Sequence, residues 1–187
     1  MNLKVKNALI SLSNKENLVT LLKTLKRFNI NIISSGGTYA SIKKLGYECT
    51  ELSKYTGFKE MLDGRVKTLH PKIHAGILAR RDKDMDILKK KGYETIDLII
   101  VNLYPFKETI AENCSLEEAI EKIDIGGPTM IRAAAKNFKD VVVISDPGDY
   151  QEVINEWDED DGISLKTRKK LSQKVFELMA DYDDSIS

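Results

Sequence analysis

Residues 63–71 read DGRVKTLHP and place two cations, a hydroxyl and an imidazole within six positions. A glycine leads into the group and a proline closes it. Neither helical nor strand periodicity runs through it, so the stretch reads as a loop fixed at both ends. Arg65 brings a planar fork that matches a phosphate, and Lys67 a compact charge whose proton affinity its surroundings can shift. That is the equipment of an anion site. Taken alone it is equally that of a solvated basic turn, and the rest of the chain has to decide.

Other stretches share its character. Ser13, Asn14 and Lys15 follow a short apolar run; Ser35, Gly36, Gly37 and Thr38 follow another; Asp124, Ile125, Gly126 and Gly127 precede Pro128 and an alanine-rich segment that carries Lys136. A strand feeding a helix leaves the first N–H groups of that helix pointing past the strand's carboxyl end. Adjacent glycines let the backbone approach a bound group closely. The glycine stretches match neither a Walker loop nor G-x-G-x-x-G. Asn102 and Tyr104 close the most apolar run of the chain, although Tyr104 also suits an interfacial core position. His70 and His74 have the spacing of helical zinc ligands, but no Glu follows His70 and no third ligand is near, so no metal site is expected. Cys49 and Cys114 stand alone, which fits a reducing compartment. Proton transfer would fall to lysine, tyrosine and aspartate.

The elements that must position these residues alternate. Apolar runs at 8–12, 30–34, 96–101 and 141–145 read as buried strands, with a short one near 49–52. Ser13 with Glu16 predicts a capping box before a helix carrying Leu18, Leu21, Leu22 and Leu25. Helices are expected over 39–45, ended by Gly46, over 80–91, over 115–123 behind a second capping box at Ser115, and over 129–137 with Pro128 at its first position. A helix containing Trp157, an acidic linker at 158–161 and a last helix opened by Ser164 complete the chain. That last helix carries Leu171, Val175, Leu178 and Tyr182 as one stripe. The alternation predicts an α/β fold with a mostly parallel central sheet and helices on both faces. Its carboxyl rim would gather the residues named above.

With 187 residues, 42% hydrophobic and 31% charged, the chain is expected to form one soluble cytoplasmic domain. Lys+Arg and Asp+Glu balance at 29 each, so neither nucleic acid nor a membrane surface is an expected partner. From physics alone the chain is a small enzyme or sensor domain for a phosphorylated metabolite.

At RVKTLHP (65–71), NLYPF (102–106) and DIGG (124–127), the sequence resembles the inosine monophosphate cyclohydrolase domain of the bifunctional purine biosynthesis proteins. The likeness runs from SLSNK at 11–15 through SGGT at 35–38 to Tyr182 and Asp183. It implies a methylglyoxal-synthase-like fold over 1–187 and dehydrative closure of a formamido imidazole carboxamide ribonucleotide to inosine monophosphate, with no cofactor or metal. By the same resemblance, Ser13, Asn14, Lys15, Ser35, Gly36, Gly37 and Thr38 would contact the phosphate. Arg65, Lys67, Thr68, Asn102, Asp124, Ile125 and Gly126 would contact the base and carboxamide. Lys136 would be the main proton donor and acceptor, with Lys67, Tyr104 and Asp124 around the oxyanion and the attacking amide. We expect N–H groups at 125–127, Gly127 included, to hold the developing charge, and Lys67 and Lys136 to lie close enough to depress one another's proton affinity. A homodimer is implied, as is a C-terminal formyltransferase domain of which these residues contain nothing. Phe138 and Val101 depart from the family's habit without removing a proton-transfer group. The alternatives are a phosphate-eliminating enzyme of the methylglyoxal synthase type and a nucleotide-sensing module without catalysis.

Overall fold

A computed structural model describes residues 2–104, 106–111 and 114–187, excluding the side chains of 108, 109 and 111. Pro105 of the NLYPF stretch lies outside the described residues. Strands β1 (Asn7–Leu12), β2 (Asn31–Ser34), β3 (Thr50–Glu51), β4 (Leu98–Asn102) and β5 (Val142–Ile144) form one sheet in the order β3-β2-β1-β4-β5. Every pairing among them is parallel. Ala8, Ile10 and Leu98 to Ile100 have no exposed surface, because parallel strands are covered by helices on both faces.

The helices are α1 (Leu18–Arg27), α2 (Gly36–Lys44), α3 (Leu52–Thr56), α4 (Pro71–Leu78), α5 (Met85–Lys91), α6 (Phe106–Ala111), α7 (Leu116–Glu121), α8 (Gly126–Lys136), α9 (Tyr150–Asp160) and α10 (Leu165–Ile186). The chain winds outward from β1 through β2 to β3, then returns to place β4 on the other side of β1. The switch point therefore falls between β1 and β4, where Leu12 lies opposite Asn102.

Local chemistry explains where the expected boundaries hold and where they move. Ser115 and Glu118 form both bonds of a capping box, and the Ser164 hydroxyl accepts from the Thr167 N–H at 3.2 Å. The box expected at Ser13 and Glu16 does not form. Asn14 Oδ1 takes the Glu16 N–H at 2.8 Å, and α1 begins only after the left-handed Asn17. Helix α2 starts at Gly36 rather than at residue 39. Arg80 and Asp84 close a turn of their own, which shortens the charged helix to α5. Pro128 is the third residue of α8 instead of the first, still within the turn whose N–H groups have no helical partner. Three of the four acidic residues at 158–161 finish α9, with Asp161 as its left-handed cap, rather than forming a linker.

On α10, Leu171, Val175, Met179 and Tyr182 are buried, and Leu178 packs partly against the core. Buried polar groups fix the frame beneath the rim. Asp97 accepts from the N–H groups of Lys6 and Asn7 and from Arg81. The Asn137 amide donates to Ile77 O and Ala79 O, tying the end of α8 to the end of α4. Among the described residues no helix is long and apolar enough to cross a membrane.

Candidate active site

Five segments meet beyond the carboxyl ends of β1, β2 and β4. Asn102, the last residue of β4, stitches the turn after β1. Its Oδ1 accepts from the N–H groups of Ser13 (2.7 Å) and Asn14 (3.1 Å), and its Nδ2 donates to Asn14 O (2.7 Å). Both ends of the amide are thus committed to the backbone. Asn102 thereby shapes the turn after β1, using one of the two N–H donors of its amide. Lys15 folds back over the same turn, 3.2 Å from Leu12 O.

The second segment is the start of α2. Ser35 caps it in extended conformation with no side-chain bond to the helix. The N–H groups of Gly36, Gly37 and Thr38 are those a first turn leaves without a helical acceptor. Gly36 has a φ of 54°, and a Cβ there would stand 3.1 Å from Lys67 Nζ. The positive φ favours glycine there, and a side chain would also push against Lys67. The Thr38 hydroxyl is not available as a ligand. It accepts from Leu12 N at 2.8 Å and donates to Leu12 O at 3.1 Å, clamping α2 to β1.

The loop that carries Lys67 comes third. A tight hairpin pairs Met61 with Val66, and Leu62, Asp63 and Gly64 at its tip all have positive φ. Lys67 Nζ lies 2.7 Å from Glu60 and above the entrance of α2. Arg65 points away, to Glu121 of α7 at 2.7 Å. Both partners of that pair are more than half exposed, so it contributes little to stability. His70 caps α4, its Nδ1 accepting from Lys72 N at 3.1 Å. His74 is half-buried, and that burial pushes its imidazole below the usual histidine range.

The fourth segment is the entrance of α8. Thr68 is buried against Gly126, where a Cβ would come within 2.3 Å of its hydroxyl oxygen. Asp124 Oδ1 accepts from the Gly127 N–H at 2.9 Å, and Tyr182 Oη accepts from the Asp124 N–H at 2.8 Å. Burial pushes the Asp124 carboxyl above the ordinary aspartate range, against the pull of the Gly127 and Gly126 N–H groups. The expectation of three free N–H groups at 125–127 is therefore corrected: Gly127 already bonds the protein's own carboxylate. Ile125 and Tyr104, the latter on the fifth segment just past β4, are more than half exposed.

A cavity of about 740 Å³ opens beside this turn on the β4 and β5 flank, lined by Ser13, Asn14, Asn102, Leu103, Ser145 to Pro147 and α10. A second, of about 560 Å³ on the outer side of α10, touches none of the rim residues.

Lys136 does not join them. It is the last residue of α8, ten residues beyond Gly126, and at about 1.5 Å per residue that is roughly 15 Å along the axis. Its neighbour Asn137 bonds the far end of α4, at Ile77 and Ala79, whereas the near end of α4 adjoins the Lys67 loop. The helix that carries both glycines and Lys136 runs away from the rim, and among the described contacts Lys67 is held by Glu60. What sequence reading missed was Glu60 as the partner of Lys67 and Tyr182 as the anchor of Asp124. Neither carries a motif; both become visible only through the hairpin register and the docking of α10.

This rim, on a parallel sheet of this order, is that of an MGS-like domain, and the chain belongs to that family: the MGS-like domain model matches residues 17–129. A second model, the AICARFT/IMPCHase bienzyme, matches residues 134–187. The chain is 54% identical over 185 residues to the bifunctional purine biosynthesis protein PurH of Clostridium botulinum strain Langeland, covering 98% of this chain and 37% of that protein. It is 56% identical over 184 residues to PurH of Clostridium perfringens strain SM101, again spanning 37% of that protein's length. A crystal structure of ForH superposes with a TM-score of 0.83 at 31% identity, covering 98% of this chain and 97% of that one.

Proposed function

We propose that the chain is an inosine monophosphate cyclohydrolase that closes the pyrimidine ring of the purine at the end of its de novo synthesis. The observation that carries this reading is the meeting of the Ser13 turn, the α2 entrance, Lys67 and the α8 entrance at one switch point. The MGS-like family, the AICARFT/IMPCHase match over residues 134–187 and the likeness to PurH support it. The 5′-phosphate would lie on the N–H groups of Gly36 to Thr38 with Ser35, Ser13 and Lys15, an arrangement suited to an anion at a helix N-terminus. The nucleobase would then extend past Thr68 toward Asp124 and Tyr104.

In the reaction the carboxamide nitrogen attacks the formyl carbon. The C–N bond forms while the formyl oxygen takes the electron pair as an oxyanion. The attacking nitrogen and the formamido nitrogen each give up one proton, the oxygen takes both and leaves as water, and the formamido C–N bond becomes the C=N of the closed ring. Nucleophile and electrophile belong to one molecule, so the protein mainly holds them in a near-attack pose. Lys67, held over the α2 entrance, would serve the phosphate, and its positive potential would favour the developing oxyanion from there. Asp124, its carboxyl raised by burial, is the carboxyl that would exchange a proton with the substrate, with Tyr104 on the neighbouring segment. Lys136 is left out of this relay.

The same membership leads us to propose a formyltransferase domain in the intact protein and assembly as a homodimer. The test is to follow ultraviolet absorbance while the chain meets the formamido ribonucleotide, without added metal or cofactor. Ring closure is the expected result. Binding of inosine monophosphate without turnover would instead mark a sensor, and phosphate release from a triose phosphate a methylglyoxal synthase.

A further inference from the structure

Lys67 is not free in this structure. Its ammonium lies 2.7 Å from Glu60 Oε2, and the pair is placed by the backbone. Met61 and Val66 exchange N–H···O bonds of 3.0 and 3.2 Å, so Glu60 and Lys67 are the next residues outward on facing strands. Side chains so placed are direct cross-strand neighbours. The tip that closes the hairpin holds Leu62 at φ 55° and Asp63 at φ 53°, a conformation costly for side chains with a Cβ. A strained hairpin is an improbable investment for an ion pair in which Glu60 is half exposed, since such pairs contribute little to folding.

The location gives the pair another purpose. Lys67 Nζ stands above the first turn of α2, 3.1 Å from where a Gly36 Cβ would be. That turn already presents three unpartnered N–H groups and the positive end of a helix dipole. An ammonium added there raises the local positive charge, and only an anion offsets it.

We propose that Glu60 is a positioning residue of the anion site, holding the Lys67 ammonium over α2 in the free protein and releasing it to the phosphate of an incoming nucleotide. Glu60 is then an internal competitor that the ligand displaces. This rests on the reading of the α2 entrance as the phosphate cradle.

The test measures inosine monophosphate binding by calorimetry at fixed ionic strength, for wild type, Glu60→Gln, Lys67→Met and the double variant. Removing an exposed competitor should tighten binding about two- to fivefold in Glu60→Gln. In the Lys67→Met background the same change should alter affinity less than about 1.5-fold, because nothing remains to compete for. Inosine, which lacks the phosphate, should show no gain from Glu60→Gln. Unchanged or weaker nucleotide binding by Glu60→Gln, or a gain that persists without Lys67, overturns the proposal while leaving the functional reading intact. Failure of the wild type itself to bind the nucleotide overturns the cradle and this inference together.

Discussion

The Asn102 side chain and the Asn14 backbone are joined on both edges: Asn102 Oδ1 accepts from the Asn14 N–H, and Asn102 Nδ2 donates to the Asn14 carbonyl. The last residue of one central strand thereby dictates the turn that leaves the other. This occurs at the single place where neighbouring strands send their connections in opposite directions, which is where a crevice opens. Asn102→Ala strips the acceptor from two backbone N–H groups, Ser13 and Asn14. It should cost about 1–2 kcal/mol of stability and weaken inosine monophosphate binding about tenfold, or about 1.4 kcal/mol. Denaturant midpoints and calorimetry check both; a binding loss without any stability loss would mean that the amide meets the ligand directly.

Gly36 and Gly37 are adjacent but not equivalent. Gly36 has φ 54° with Lys67 Nζ 3.1 Å from its Cβ position, whereas a Cβ on Gly37 meets nothing within 4 Å. Gly36→Ala should therefore destabilise by about 1–2 kcal/mol, the usual cost of a left-handed residue with a side chain. It should also displace Lys67. Gly37→Ala should be neutral or slightly stabilising, since alanine suits a helix better than glycine. Thermal unfolding of the two single variants decides. Equal losses at both positions would show that the left-handed backbone at Gly36 does not set the cost.

The alternation of apolar runs was enough to place the sheet, because parallel strands buried on both faces leave a signal in composition and length. The turns were harder. Ser13 and Glu16 have the spacing of a capping box, yet Asn14 takes the Glu16 N–H first, a local competition that spacing cannot rank. Thr38 and Asn102 were legible as polar residues at the rim but not as groups that also hold the backbone. Their hydroxyl and amide are satisfied by Leu12, Ser13 and Asn14, which lie 26 and about 89 residues away in sequence. For Lys136, motif order says nothing of the ten residues of α8 that separate it from Gly126.

Asp124 gives a pH signature. Its folded-state proton affinity is raised above the ordinary value of 3.8, chiefly by burial. The protonated form is therefore favoured by folding. The stability it contributes is fully present below pH 3.8 and is lost as pH rises through the raised value. Asp124→Asn keeps an oxygen for the Gly127 N–H and carries no charge to bury. Its unfolding midpoint should match or exceed wild type at pH 7, and the advantage should vanish near pH 3.5. Turnover should meanwhile fall by about a hundredfold or more if the carboxyl moves a proton. Urea titrations at the two pH values, beside single-turnover rates, separate the two effects.

Lys136 supplies the sharpest contrast with Lys67. Lys67 faces the α2 entrance, whereas Lys136 ends a helix that carries it roughly 15 Å from the rim, at 1.5 Å per residue. Sites that far apart with no shared partner act independently. Lys67→Ala should weaken inosine monophosphate binding about tenfold, the loss of one charge-assisted contact of about 1.5 kcal/mol, and lower turnover further. Lys136→Ala should change affinity less than about twofold and turnover less than about threefold. A large turnover loss at Lys136 with affinity intact would require its ammonium to reach the reacting atoms from outside this chain's own rim. Mixing Lys136→Ala chains with Lys67→Ala chains would then restore activity, since a site assembled from both would have one intact amine of each kind. No restoration is expected, because the rim holds Lys67, Asp124 and the α2 entrance within one chain.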